Sequence, residues 1–211
     1  MASRARRSVR RIVLISLLFG LVLPAGGGIA AASPEPTPAE TVQTIERIRG
    51  QLQVATHDIE AGDRENAVDR TTEIVDEQWA LVDERVAAAN RSLASDLNRT
   101  LQSAPAKAET LSAAAFEEWV DADVAPLLTS AERALVDDIT RSNATYQARV
   151  VSGLLDHGMA EYAEGVSESG TVTDPGEYRA GRAYVARAAH RYRTGIRPLL
   201  SEHANEELAD R

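Results

Sequence analysis

Apolar residues recur every three or four positions through most of the chain beyond residue 38. In the first such segment, Thr37-Pro38-Ala39-Glu40 has the spacing of a helix-capping box with proline in the first turn, and Gly62 is placed to end the helix. No segment alternates with period two over a useful length, so the pattern predicts helices and no sheet. The repeating apolar positions of this first helix are Val42, Ile45, Ile48, Leu52, Ala55 and Ile59.

The same spacing continues to the C-terminus. Long amphipathic helices with short connections fold as antiparallel bundles. We therefore predict an all-α antiparallel bundle of about five to seven helices in one domain, residues 38–211. The further helices are expected from Asp63 to Pro105 with a break near Asn90, from about 107 to 140, from about Asn143 to Val166, and from Asp174 to a bend at Pro198, with Ser167 to Thr173 as the main loop.

Residues 1–32 have the three parts of a secretory signal. Five arginines and no acid come first, an apolar run from Ile12 to Leu23 follows, and Ala30-Ala31-Ala32 offers a cleavage site before a Pro-rich linker at 33–37. We expect an exported protein, extracellular or at the cell surface. Arg10-Arg11 is compatible with either a Sec or a twin-arginine route. An uncleaved signal would be the chain's membrane attachment.

Composition narrows the classes of function. The chain has no cysteine, which excludes disulfides and thiolate metal sites, and its net charge of −9 argues against nucleic acid as a partner. Removal of residues 1–32 leaves 18 basic and 32 acidic residues, a net charge of −14. Such an acidic surface, with one lysine against 22 arginines, favours a salt-loving source, although a GC-rich genome would also favour arginine.

Candidate metal ligands are histidine–carboxylate pairs at helical spacing. His57 precedes Glu60 by three residues, and His157 precedes Glu161 by four, so each pair shares a helix face. His203 stands similarly before two glutamates. Because acids are frequent here, an ordinary solvated helix face explains the same spacing. Neither the Glu-x-x-His pairs of di-iron bundles nor His-Glu-x-x-His occurs.

Motifs of the common enzyme classes are missing from the sequence. It has no Gly-x-Ser-x-Gly elbow, no Gly-x-Gly-x-x-Gly fingerprint and no phosphate loop. Adjacent carboxylates such as Glu117-Glu118 point to different sides of a helix and do not suit a two-carboxylate mechanism. We therefore expect no enzymatic activity.

Three Asn-x-Ser/Thr sequons make Asn90, Asn98 and Asn143 candidates for glycosylation in an exported protein. A chain rich in serine and threonine also produces such triplets by chance.

The stretch from Leu154 to Ala188 carries the most distinctive pattern. Glu161-Tyr162 closes one helix, Gly165 and Gly170 border a loop, and Glu177-Tyr178 opens the next helix. This arrangement resembles the extracytoplasmic helical domain associated with oxidase-dependent iron permeases of prokaryotes, in the stand-alone form of halophilic archaea. The stretch from Trp79 to Leu101, with Asp83 and Glu84, resembles an earlier helix of that domain more loosely.

The resemblance implies a non-catalytic, exported helical accessory or binding domain near metal or redox proteins. It implies an envelope permease or redox protein as partner and iron or copper as the metal. Iron transport itself is not implied, because the permease motif Arg-Glu-x-x-Glu is absent. A purely structural or protein-interaction role without metal is the alternative, and an enzyme of unknown class is the third hypothesis.

Overall fold

The computed structural model describes residues 36–201. Over this range the chain is almost wholly helical, and its one extended feature is an isolated antiparallel bridge between Val166 and Val172. The α-helices are α1 (Pro38–Glu60), α2 (Arg64–Glu73), α3 (Asp83–Ala89), α4 (Arg91–Gln102), α5 (Ala104–Thr110), α6 (Ala113–Trp119), α7 (Ala125–Leu135), α8 (Asp138–Arg141), α9 (Ala144–Gly165) and α10 (Pro175–Arg191).

The predicted all-α bundle is confirmed, with shorter helices than the apolar pattern indicates. Helical breaks and wider turns divide the long segments, so the described residues form ten α-helices where about five to seven were predicted. A π-helix has an i to i+5 hydrogen bond and adds one residue to a turn. Three π segments at Ile74–Gln78, Val120–Val124 and Tyr192–Ile196, and a 3-10 turn at Trp79–Leu81, continue α2, α6 and α10 without a loop.

Helix α1 is the central element, and its sequence fixes both ends. The Thr37 hydroxyl accepts from the Glu40 backbone N–H, and the Glu40 carboxylate accepts from the Thr37 N–H, which completes the predicted capping box. Gly62 follows the helix with a φ of +80°, a left-handed conformation that favours glycine. Helix α1 packs against α2, α6, α7, α9 and α10 and is buried on most sides.

Two groups of buried apolar side chains flank α1. The larger group joins α1 to α2 and to the elements from α3 to α7, and it contains both tryptophans, Trp79 and Trp119. The smaller group joins α1 to α9 and α10. Its members are Ala39, Val42, Val136, Tyr146, Val150, Leu154 and Ala188.

Other helix ends follow local side-chain chemistry, with two corrections to the prediction. Asn90 and Asn143 cap α4 and α9 through their side chains, which explains the break expected near Asn90. Asp63 begins α2 without capping it, because its carboxylate accepts from the Asn66 side chain instead. Pro105 does not close a helix; it lies in the first turn of α5, where its missing N–H has no cost.

No helix among residues 36–201 is long and apolar enough to cross a membrane. The predicted signal at 1–32, most of the linker at 33–37, and His203 lie outside the described residues. Those predictions therefore stay predictions.

Candidate functional site

Helices α9 and α10 form an antiparallel hairpin with unusually close backbones. A Cβ added at Gly165 would lie 2.5 Å from the Tyr178 backbone nitrogen, and one at Gly181 would lie 2.8 Å from the Gly158 carbonyl oxygen. No Cβ fits at these distances, so the glycines permit this approach. The Asp174 carboxylate caps α10 by accepting from the Gly176 and Glu177 backbone N–H groups.

The close approach brings two glutamates of the distinctive stretch together. The side chain of Glu161 on α9 hydrogen-bonds that of Glu177 on α10. Burial, followed by this hydrogen bond and the negative charge of Glu177, raises the pKa of Glu161 to about 8, while Arg47 on α1 acts in the opposite direction. Glu161 therefore keeps its proton near neutral pH, and the two carboxyl groups together carry an exchangeable proton.

This arrangement predicts a pH-dependent stability that depends on Glu161. The pKa of Glu161 in the folded protein lies above the ordinary value of 4.5. The stabilisation from protonated Glu161 is therefore complete below pH 4.5 and is lost as pH rises through about 8. We expect Glu161→Gln to reduce the loss of unfolding free energy between pH 6 and 9, measured by urea denaturation at fixed salt. Glu60→Gln, at an exposed position on α1, should behave as wild type. Identical slopes of unfolding free energy against pH for wild type and both variants would contradict the assignment of a raised pKa to Glu161.

The two tyrosines of the motif pack on each other, but not in the core. The rings of Tyr162 and Tyr178 have centroids 6.0 Å apart and are tilted by 54°. Burial of both rings at the helix interface is the natural expectation, and for Tyr162 it is wrong, since the side chain is 51% exposed. Val185 on α10 and Tyr192, in the π segment that continues it, are also exposed. The Tyr162–Tyr178 contact is therefore partly exposed to solvent.

The candidate ligand His157 is not paired with Glu161. His157 lies in a groove beside Thr41 and Leu81, whereas Glu161 contacts Glu177. Burial and then the positive charge of Arg47 lower the pKa of His157. Sequence spacing placed the two residues on one helix face, and it did not reveal that Arg47 lies near both of them or that Glu177 faces Glu161.

The second candidate pair is solvent-facing. His57 Nδ1 lies 3.6 Å from Glu60 Oε2, with both side chains more than half exposed. His57 also borders a groove of about 290 Å³, together with Glu117 and Asp121, but Arg49 and Arg187 line the same groove. Within residues 36–201, no group of three or more histidine, aspartate or glutamate side chains is arranged to hold a metal ion.

Buried carboxylates on α1 form ion pairs that the sequence pattern does not indicate. Asp58 is fully buried, with its carboxylate oxygens 3.2 Å from Arg70 Nε and 3.1 Å from Arg179 Nε. Glu46, also buried, accepts a 2.7 Å hydrogen bond from Arg187. The arginines of α10 therefore hold the hairpin against α1.

All three sequon asparagines are on the surface. The side-chain oxygens of Asn90 and Asn143 accept from backbone N–H groups at the starts of α4 and α9, and that of Asn98 accepts from Trp79 Nε1 at 3.2 Å. A glycan attaches to the amide nitrogen, so these hydrogen bonds leave the attachment atom uninvolved. Glycosylation remains a prediction.

A comparison with known families supports the importance of the hairpin. Residues 137–211 match the model of the iron permease-associated 4-helix bundle domain. The resemblance inferred from the second half of the chain is thereby confirmed. The matched range begins at α8 and includes the whole hairpin, whereas the upstream stretch from Trp79 to Leu101 lies outside it. No curated protein and no solved structure matches the chain.

The match indicates the class of domain more than the chemistry of a site. The family description names a helical bundle linked to iron permeases and no catalytic activity. It therefore agrees with a helical accessory role and with an association with metal handling.

Proposed function

We propose that the protein is an exported, non-catalytic accessory domain of the cell envelope that binds iron as cargo beside a permease or redox protein. The observation that carries the proposal is the Glu161–Glu177 pair inside the stretch that matches the permease-associated domain. Two carboxyl groups held together by a shared proton are a pair of oxygen donors that a cation can occupy in the proton's place.

The match to the permease-associated domain, and not affinity, favours iron over copper as the cargo. Carboxylate oxygens bind either ion, and cupric ion binds a given oxygen site more tightly than ferrous ion, so metal supply would decide which ion occupies the pair. The fit is that of an open site: the described residues supply no third histidine or carboxylate ligand, so water would complete the coordination. Arg47 beside Glu161 weakens the attraction for a cation, which suits reversible delivery more than storage.

Calorimetric titration tests the cargo role. Ferrous ion under anaerobic conditions should bind wild type at pH 8 and at matched salt, with cupric, zinc and magnesium ions as comparisons. The double variant Glu161→Gln, Glu177→Gln should lose the binding heat, and Glu60→Gln should retain it, because Glu60 is exposed and its neighbour is His57. Absence of heat for ferrous ion, or equal heats for wild type and the double variant, would refute the proposal.

Export is a separate element of the proposal. The arginine-rich start, the apolar run from Ile12 to Leu23 and Ala30-Ala31-Ala32 support cleavage after residue 32. Protein recovered from the envelope or the medium of its natural host should give an N-terminal sequence beginning near Ser33. Protein confined to the cytosol with Met1 retained would contradict export.

A protein-interaction role without metal is the second candidate. It is favoured by the exposed apolar side chains on the outer side of the α9–α10 hairpin. If calorimetry shows no binding of ferrous ion while the exposed apolar surface is intact, this second role would be favoured.

A further inference from the structure

The outer side of the α9–α10 hairpin carries most of the exposed large apolar side chains in the described chain. Leu154 and Tyr184 are fully buried toward α1, and the next residue along a helix is rotated by about 100°. Leu155 and Val185 are therefore turned away from α1. Five of the nine exposed large apolar residues among 36–201 lie on this side, which we call the hairpin face: Leu155, Met159, Tyr162, Val185 and Tyr192.

The spacing on this face is that of a helix-packing seam. Leu155 and Tyr162 are seven residues apart on α9, and Val185 on α10 is seven residues before Tyr192, which begins the π segment that continues α10. A seven-residue repeat keeps side chains aligned along one side of a helix, where a neighbouring helix packs. Exposed apolar patches of this kind mark interaction sites in soluble domains.

The charge around the hairpin face is opposite to that of the chain. Arg182, Arg193 and Arg197 on the α10 side are exposed, and the exposed acids of α9 are Asp156, beside Leu155, and Glu164. The whole chain has a net charge of −9. Two copies meeting through this face would bring arginines against arginines, whereas acidic side chains would be complementary to it.

The shape of the face indicates a helix as the occupant. Two antiparallel helices packed side by side leave a shallow groove between them, which Val185 Cγ2 borders beside Gly158, and α1 covers only the opposite side. A further helix in this groove would complete a four-helix arrangement with α1, α9 and α10. A lipid surface is flat and would contact the two ridges rather than fill the groove.

We propose that the hairpin face docks an amphipathic helix of a partner protein, whose apolar stripe fills the groove and whose edges carry acidic side chains. The proposal deepens the accessory role argued above by giving the chemistry of the partner. It is independent of iron, since docking uses the outer side chains of the hairpin and not Glu161 and Glu177. Peptide binding measured without metal can therefore succeed when cation binding fails.

The test uses two designed, fluorescently labelled helical peptides of about 22 residues with the same leucine stripe. One has glutamates along both edges and the other has lysines, and binding to the purified protein is followed by anisotropy at one ionic strength. We expect the acidic peptide to bind at least about tenfold more tightly than the basic one. Arg182→Glu with Arg193→Glu should invert that preference.

A matched pair of substitutions locates the binding site. Met159→Asp, at a 69% exposed position on the hairpin face, should weaken binding of the acidic peptide at least about tenfold. Ile139→Asp, at an 84% exposed position on α8, should leave it unchanged. Both sites are exposed, so both variants should fold, which circular dichroism verifies.

Three outcomes would overturn the proposal. Equal affinity for the two peptides, or no binding of either, would remove the helix with acidic edges as the occupant. Met159-dependent binding to anionic phospholipid vesicles, in preference to the acidic peptide, would identify a membrane surface instead. Met159-dependent self-association in sedimentation equilibrium would identify a second copy.

Discussion

Replacing Asp58 with alanine is expected to cost about 3–5 kcal/mol of unfolding free energy, because it leaves two guanidinium groups without their shared carboxylate in the protein interior. Asp58 is fully buried, and it contacts both Arg70 of α2 and Arg179 of α10. Arg70 also donates to Gln51, so the loss would spread through a connected polar network. Urea denaturation at one fixed salt concentration would measure the effect.

The matched control is Asp96→Ala. Asp96 pairs with Arg99 at 2.7 Å on the surface of α4, with both side chains largely exposed. A surface pair of this type contributes less than about 1 kcal/mol. Similar losses for Asp58→Ala and Asp96→Ala would contradict the assignment of Asp58 as a buried link between α1, α2 and α10.

Tyr184→Ala is expected to cost about 3–5 kcal/mol, as for other large aromatic side chains removed from a core. Tyr184 is fully buried, its ring lies 3.2 Å from the position of a Cβ at Gly50, and its hydroxyl accepts a 2.6 Å hydrogen bond from Gln51 Nε2. Tyr162→Ala is the control on the same hairpin and should cost less than about 1.5 kcal/mol, since half of Tyr162 is exposed.

Tyr184→Phe separates the two parts of the Tyr184 contribution. It keeps the ring and removes the hydroxyl, so it should cost about 1 kcal/mol plus the penalty of an unpaired Gln51 amide. Chemical denaturation of all three tyrosine variants at the same pH would compare them. A greater loss of unfolding free energy for Tyr162→Ala than for Tyr184→Ala would contradict the assignment of Tyr184 as the tyrosine that stabilises the hairpin.

The helical class could be predicted because it depends on local patterns. Apolar residues at three- and four-residue spacing, the Thr37 capping box and the glycine at 62 each act within one or two turns of chain. The π segments could not be predicted in this way. They insert one residue into a turn, and the segments at Val120–Val124 and Tyr192–Ile196 each end two residues before a proline, which in a sequence indicates only a helix start or a kink.

The candidate site was only partly visible because it depends on contacts between helices. The sequence identified the Glu161-Tyr162 and Glu177-Tyr178 pairs, but which member faces the other helix is decided by how closely the glycines let α9 and α10 approach. The result is that the glutamates meet and half of Tyr162 is exposed. Spacing alone favoured His157 as the partner of Glu161, because spacing shows which residues share a face of one helix. It does not show which other helix packs against that face.

The ion pairs of α1 illustrate the same limit. Glu46 and Asp58 are indistinguishable by composition from the many exposed acids of the chain. Arg179, Arg187 and Arg191 recur at helical spacing on α10, which is the one signal that a partner for buried acids existed. The periodicity of α10 does not show that this arginine face packs on α1, because the packing partner of a helix is set by the tertiary fold.

The central claim is that a cation replaces the proton shared by Glu161 and Glu177, and the proton released on binding tests it most directly. Ferrous ion titrated anaerobically at pH 7 into wild type, in two buffers of different ionisation enthalpy, should release about one proton per ion bound, because Glu161, with a pKa of about 8, is protonated there. At pH 9 the release should fall toward zero, and binding should be tighter. A proton release that stays the same at both pH values, or that persists in Glu161→Gln, would contradict the claim.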